Sequence, residues 1–177
     1  MIRNLRRVIQ KVIGILRAKG FGLIPGISIK GNVHIGPNRY SILNKGSLNI
    51  EEDVRIRDCF RCVLDGGDII ISKGTFLNSG VSLNSRIGIT IGQRCHIGPN
   101  VLFFDHDHNF GKDVMISSSG FVDESIKVGE NVWIGANVLV LKGVIIGDNC
   151  VIAAGLTVRK PVPAGHILSA SGLKQLI

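Results

Sequence analysis

Residues 128–163 read VGENVW IGANVL VLKGVI IGDNCV IAAGLT VRKPVP, and written in blocks of six they repeat one pattern. The first place of every block is a β-branched aliphatic: Val128, Ile134, Val140, Ile146, Ile152 and Val158. The fifth place is held by Val132, Val138, Val144, Cys150, Leu156 and Val162, and the second by Gly129, Gly135 and Gly147 in three blocks. The same phase runs back through Ile91, Ile97 and Phe103, then Ile71, Leu77 and Leu83, then Ile50 and Ile56, then Ile29 and Ile35. These groups start at 29, 50, 71 and 91, spacings of 21, 21 and 20 residues, which is three six-residue arms plus two or three corner residues. From 91 to 128 the gap is 37, so one coil of 18 leaves about 19 residues outside the repeat, between Phe103 and Val128.

A six-residue unit is too short for a helical hairpin and suits a short strand plus a turn, its first and fifth side chains pointing into a shared core. Three units make a triangular coil, and stacked coils pair each strand with the one above it as a solenoid of parallel strands. The pattern therefore predicts an all-β solenoid, a parallel β-helix of about six coils. Composition agrees: 23 glycines supply tight turns, only 5% of residues are aromatic, and 45% hydrophobic against 19% charged is incompatible with disorder. The 177 residues make roughly one domain. They divide into a basic amphipathic helix over 1–25, the β-helix over 26–168 with an inserted loop at 104–127, and a tail over 169–177.

The net charge of +8 raises nucleic acid as a partner, and its distribution excludes one. Residues 1–50 hold nine of the 21 Lys and Arg and no acid, whereas residues 51–177 hold twelve against thirteen acidic residues. A nucleic-acid face spreads its basic residues and interleaves aromatics; this basicity belongs to one terminal segment. Within that segment, helical spacing puts Ile2, Leu5, Val8, Ile9, Val12, Ile13, Ile15 and Leu16 on one side and Arg3, Arg6, Arg7, Lys11 and Arg17 on the other, with Gly20, Gly22 and Pro25 ending the helix. Two readings stand. Either the apolar face caps the open first coil, or residues 1–20 make peripheral contact with anionic lipid on the inner face of the membrane.

No run approaches the ~20 consecutive apolar residues of a membrane-spanning helix. Basic residues also interrupt the N-terminal apolar positions too often for a secretory signal, so a cytoplasmic protein is expected. Among the cysteines, the Cys59–Cys62 pair lacks the second pair or histidines of a zinc site and the helix start of a redox site. Cys62 falls at an inward first place and Cys95 and Cys150 at inward fifth places, and structural packing is expected of all four cysteines. His34 and His96 occupy the outward sixth place and read as surface residues.

The blocks over 128–163 strongly resemble those of the hexapeptide-repeat acyltransferases, and most of all the maltose and galactoside acetyltransferases and the similar capsule or O-antigen O-acetyltransferases. The resemblance covers residues 26–168. It implies a left-handed β-helix, a homotrimer with active sites between subunits, acetyl-CoA as donor, no metal, and a sugar or glycan precursor of polysaccharide biosynthesis as acceptor. The insertion opens Phe103-Phe104-Asp105-His106-Asp107-His108, and the family's catalytic histidine lies where the repeat gives way to this loop, which is His106. An imidazole titrates near neutral pH and can take the proton from a sugar hydroxyl as its oxygen attacks the thioester, with no acyl-enzyme.

The resemblance also implies that Asn78 and Asn84, one coil earlier, hold the acceptor; beside them His108 is expected to orient or contact the acceptor, and Asp105 to contact it, to orient the base or to cap a turn. Asparagine is equally a turn residue in such a fold, so both asparagines keep a structural reading. For the donor it implies Ala136 and Ala154 along the coil edges, the Ala136 amide facing the oxyanion, Arg159 and Lys160 meeting the CoA phosphates, and Trp133 beside the site. The C-terminal tail and the N-terminus depart from the maltose enzymes. Three other readings stay open: a γ-carbonic-anhydrase-like metal hydratase using His106 and His108, which needs a third histidine; N-acetylation of an amino sugar; and a non-catalytic β-helical scaffold.

Overall fold

The computed structural model describes residues 2–113 and 115–176; residues 1, 114 and 177, and the side chains of residues 2–8, lie outside that description. After an N-terminal helix, α1 (Ile2–Phe21), the chain winds repeatedly through three faces. The first sheet stacks Ile27–Ile29, Leu48–Ile50, Asp68–Ile71, Gly88–Ile91, Ile126–Val128 and Ile145–Ile146. The second stacks His34–Ile35, Arg55–Ile56, Phe76–Leu77, His96–Ile97, Trp133–Ile134 and Val151–Ile152, followed by His166–Ser169. The third stacks Tyr40–Leu43, Arg61–Leu64, Ser82–Ser85, Leu102–Phe104, Leu139–Val140 and Thr157–Val158. Each coil gives one parallel strand to each sheet. This is the six-coil parallel β-helix predicted from the six-residue period, and its path is consistent with left-handed winding.

The period becomes a core because alternate strand residues face inward. First-place Ile91, Ile97, Phe103, Ile134, Val140, Ile152 and Val158, and fifth-place Val132, Val138, Val144 and Cys150, are all at most 1% exposed. The turns sit in the fourth place, where Asn131, Asn137 and Asn149 adopt φ of 52°, 55° and 56°; asparagine tolerates this left-handed region better than most residues. The second-place glycines serve close approach instead. A Cβ on Gly98 would lie 2.7 Å from the carbonyl carbon of Gly135, and one on Gly135 would lie 2.6 Å from the amide nitrogen of Ala154.

The insertion leaves the stack uninterrupted, since Ile89 pairs directly with Ile126 across it. It folds as an antiparallel hairpin of His106–His108 with Phe121–Asp123, bridged by a 3₁₀ turn at Ile116–Ser118. At the other end, Gly172–Gln175 folds back antiparallel on His166–Ser169 and changes the strand direction at the last coil.

Two expectations change. Helix α1 does dock on the first coil, but chiefly through Gly14, Ala18 and Phe21, with only Ile13 and Ile15 of the predicted apolar face half-buried. Close approach decides this: Gly14 sits against the His34 ring, where a Cβ would lie 2.1 Å from it, and His34 Nε2 donates to the Gln10 carbonyl at 3.1 Å. His34 is thus half-buried beneath the helix rather than a free surface residue. Ile9, Val12 and Leu16 face outward, while Ile2, Leu5 and Val8, with Arg3, Arg6 and Arg7, belong to the side chains outside the described residues. The second correction is Cys59, which is exposed at a turn with φ of 58° and packs in no core. Cys62, Cys95 and Cys150 are buried as expected, and burial pushes the Cys62 thiol up to about 12.

Candidate functional site

The insertion leaves the fourth coil at the corner between the third and first sheets, and Asp105 is the first residue beyond Phe104. Its carboxylate is fully buried and accepts five donors. Three are consecutive backbone amides of the preceding corner: Arg86 at 2.8 Å, Ile87 at 2.9 Å and Gly88 at 2.8 Å. The others are the Ser85 hydroxyl at 2.9 Å and His106 Nδ1 at 3.0 Å. Burial pushes the Asp105 carboxyl up, but the bonds from His106 and from these amides outweigh it and hold the group below the usual carboxylate range. An ionised carboxylate only accepts, so Nδ1 of His106 carries the proton and Nε2 offers its lone pair. The pair is thus fixed through Nδ1, and among the described residues Nε2 has no hydrogen-bond partner.

Phe121, from the returning strand of the hairpin, packs on both imidazoles, with ring centroids 5.4 Å from His106 and 4.7 Å from His108. The Arg86 guanidinium lies over the Phe121 ring, 3.8 Å from its centroid, and pairs with Asp123 at 3.3 Å and with Asp65. Lys142 ties the insertion to the next coil through Glu124 at 2.8 Å. Arg86, Ser85 and Phe121 were not foreseen from sequence. Coil arithmetic holds a signal for the first two, which lie 19 and 20 residues before Asp105, one coil below it. Phe121 carries none, because the insertion has no repeat.

Among the acceptor candidates, Asp105, His106 and His108 lie together, with His106 part-buried and His108 exposed. Asn84 pairs in register with Phe104 beneath them, but it is 8% exposed and its amide donates to the Phe103 carbonyl at 3.2 Å and to Ser82 Oγ at 3.1 Å. Asn78 lies elsewhere, at the corner between the second and third sheets, where its Oδ1 accepts from the Ser79 amide at 2.9 Å.

The donor candidates divide in the same way. Ala136 and Ala154 stand on the corner between the second and third sheets, along the Gly98–Gly135 column that has no side chains. Ala136 accepts from the Gly155 amide at 2.8 Å, and among the described residues its own N–H donates to no backbone carbonyl. Trp133 is 58% exposed on the second sheet, in register between His96 and Val151. Arg159 and Lys160 are exposed on the His106 corner, two coils further along. Within one chain, His106 and the alanine edge are separated by one arm of the triangle, roughly 15–20 Å for about six extended residues. Among the described residues no group of three His, Cys, Asp or Glu side chains is placed to hold a metal ion.

Two family models match the chain. One described as bacterial transferase hexapeptide (six repeats) covers residues 125–160, and one described as hexapeptide repeat of succinyl-transferase covers residues 69–102. No curated protein matches the sequence. Several solved structures share the fold. An N-acyltransferase variant from Bacillus cereus, in complex with dTDP-4-amino-4,6-dideoxyglucose and coenzyme A, is 18% identical at a TM-score of 0.74, over 90% of this chain and 87% of that one. A hexapeptide-repeat acetyltransferase from Vibrio cholerae O1 biovar eltor, complexed with acetyl coenzyme A, is 23% identical at 0.60, over 89% and 75%. A maltose O-acetyltransferase from Clostridium difficile 630 is 21% identical at 0.57, over 84% and 68%. Over residues 69–102 and 125–160 the chain is thus built of the hexapeptide repeat of bacterial transferases, wound into the fold of the solved hexapeptide-repeat acyltransferases.

Proposed function

We propose that the chain transfers acetyl from acetyl-CoA to a hydroxyl of a sugar or glycan precursor, with His106 as the general base. The observation that carries this reading is the Asp105–His106 pair: a buried carboxylate with five donors fixes Nδ1–H and leaves Nε2 to receive a proton. His106 Nε2 accepts the hydroxyl proton as the acceptor oxygen forms its bond to the thioester carbonyl carbon. Asp105 stabilises the imidazolium that results. When the tetrahedral intermediate collapses, the carbon–sulfur bond breaks and His106 returns the proton to the departing CoA thiolate. The products are the acetyl ester and CoA, with no group left on the protein.

The donor fits the residues present. The Gly98–Gly135 column with Ala136 and Ala154 admits a thin pantetheine arm, the Ala136 N–H is available to the oxyanion, and Arg159 and Lys160 suit phosphates. Because the alanine edge and His106 occupy different corners of one chain, the complete site takes His106 from one protomer and the edge from another, as a homotrimer provides. Use of acetyl-CoA and four free thiols suit the cytoplasm. His108, Arg86 and Asp123 frame the acceptor side, and Trp133 of the neighbouring protomer lies beside the donor.

A second reading is transfer to the amine of an amino sugar, favoured by the bound dTDP-4-amino-4,6-dideoxyglucose of the Bacillus cereus neighbour. The same base serves, since the attacking amine also sheds a proton. A screen of hydroxyl and amino sugars, free and nucleotide-linked, that follows free CoA separates the two. Release with hydroxyl sugars alone supports O-acetylation, release with amino sugars alone supports the second reading, and no binding of acetyl-CoA refutes both.

A further inference from the structure

We propose that the outward face of α1 docks on an anionic lipid bilayer, so that the molecule stands on the membrane by its N-terminal end. Ile9, Val12 and Leu16, spaced by three and four residues, form one stripe and are 47, 51 and 62% exposed. Past the end of the helix, Leu23 at 84% and Ile24 at 37% exposed add apolar surface to the same end of the molecule. Folding does not use this stripe, because the helix is already held by Gly14, Ala18, Phe21 and the His34 bond on its other side. An aliphatic stripe on a helix that is docked by its opposite face is free to meet a second surface.

Charge selects that surface. Lys11 and Lys19 are exposed on α1, and Lys30, Arg39 and Lys45 on the first coil beside it. Residues 1–50 contain nine Lys and Arg and no carboxylate, whereas the rest of the chain is close to neutral. Apolar stripe and positive pole therefore coincide at one end. A second copy of the same end would bring nine cations against nine, while an anionic bilayer gains about fivefold in affinity for each basic residue held near it. No helix among the described residues is long and apolar enough to cross a membrane, so α1 lies in the interface. This surface is separate from the transfer site, and the proposal stands whatever reaction that site performs.

The test is flotation of the full-length chain with phosphatidylglycerol–phosphatidylcholine vesicles and with phosphatidylcholine vesicles, for wild type, Val12→Asp/Leu16→Asp and Lys11→Glu/Lys19→Glu. Wild type is expected to float with the anionic vesicles and not with the neutral ones, and to be released by salt. Either double variant should lower the bound fraction about tenfold or more while keeping the wild-type thermal midpoint, since these side chains are exposed. Equal flotation with both vesicle types, no flotation of wild type, or unchanged flotation of both variants overturns the proposal. A fall in oligomer mass of Val12→Asp/Leu16→Asp without lipid also overturns it, by assigning the stripe to a second copy.

Discussion

A histidine that donates one nitrogen to a buried carboxylate has its tautomer decided by its neighbour, and Asp105 does this for His106. Replacing Asp105 with Asn keeps the shape but brings an NH₂ against backbone donors and frees the imidazole to take either tautomer. Asp105→Asn is expected to lower kcat by tenfold or more with little change in KM, and to lose the single Nδ1–H tautomer in nitrogen NMR spectra of His106. It should also destabilise the insertion by about 1–3 kcal/mol through unsatisfied amides. The acid response follows from the same bonds. A carboxyl held below its unfolded value, near ~3.9, contributes stability that is complete above that value and is lost as pH falls through the lower folded one. Thermal midpoints of wild type and Asp105→Asn should therefore differ at neutral and mildly acid pH and converge in strong acid. At this scale the sequence was partly legible. His106 was singled out through the resemblance, at the place where the repeat breaks, whereas Phe121 reaches both imidazoles through a hairpin whose register no periodicity announces.

The six-residue element explains which changes the stack tolerates. Asn149 turns its corner at φ of 56°, a conformation that a β-branched residue adopts at a cost of about 1–2 kcal/mol. Asn149→Val should lower the thermal midpoint by roughly 2–8 °C and leave activity at room temperature intact, because its corner lies away from both His106 and the alanine edge. Gly135→Val should do more. Its side chain would enter the 2.6 Å gap to Ala154, prising the coils apart along the proposed donor edge, so affinity for acetyl-CoA should fall together with stability, as calorimetry on the folded variant would report. The strands were legible because inward positions recur strictly. Helix α1 was legible as a helix but not in its orientation. Hydrophobic periodicity points to the Ile9–Val12–Leu16 side, while docking was decided by how near Gly14 lets the backbone come to His34.

At the scale of the molecule, a nearly neutral β-helix carries His106 on one corner and its small-residue edge on another, with its positive charge gathered at the N-terminal end. On the proposed reading one chain holds two halves of different sites, which the six-residue period could not reveal because a period describes stacking and not the relation between chains. Mixing His106→Ala with a variant blocked on the donor edge, such as Ala136→Trp, should restore part of the activity that each homogeneous protein lacks, since a mixed trimer contains one interface with both parts intact. The central claim is tested most directly by the rate of CoA release from acetyl-CoA with a productive acceptor, compared between wild type and His106→Ala of unchanged oligomeric mass. The account predicts a loss of about 10²–10⁴-fold in the variant; turnover at the wild-type rate would contradict it.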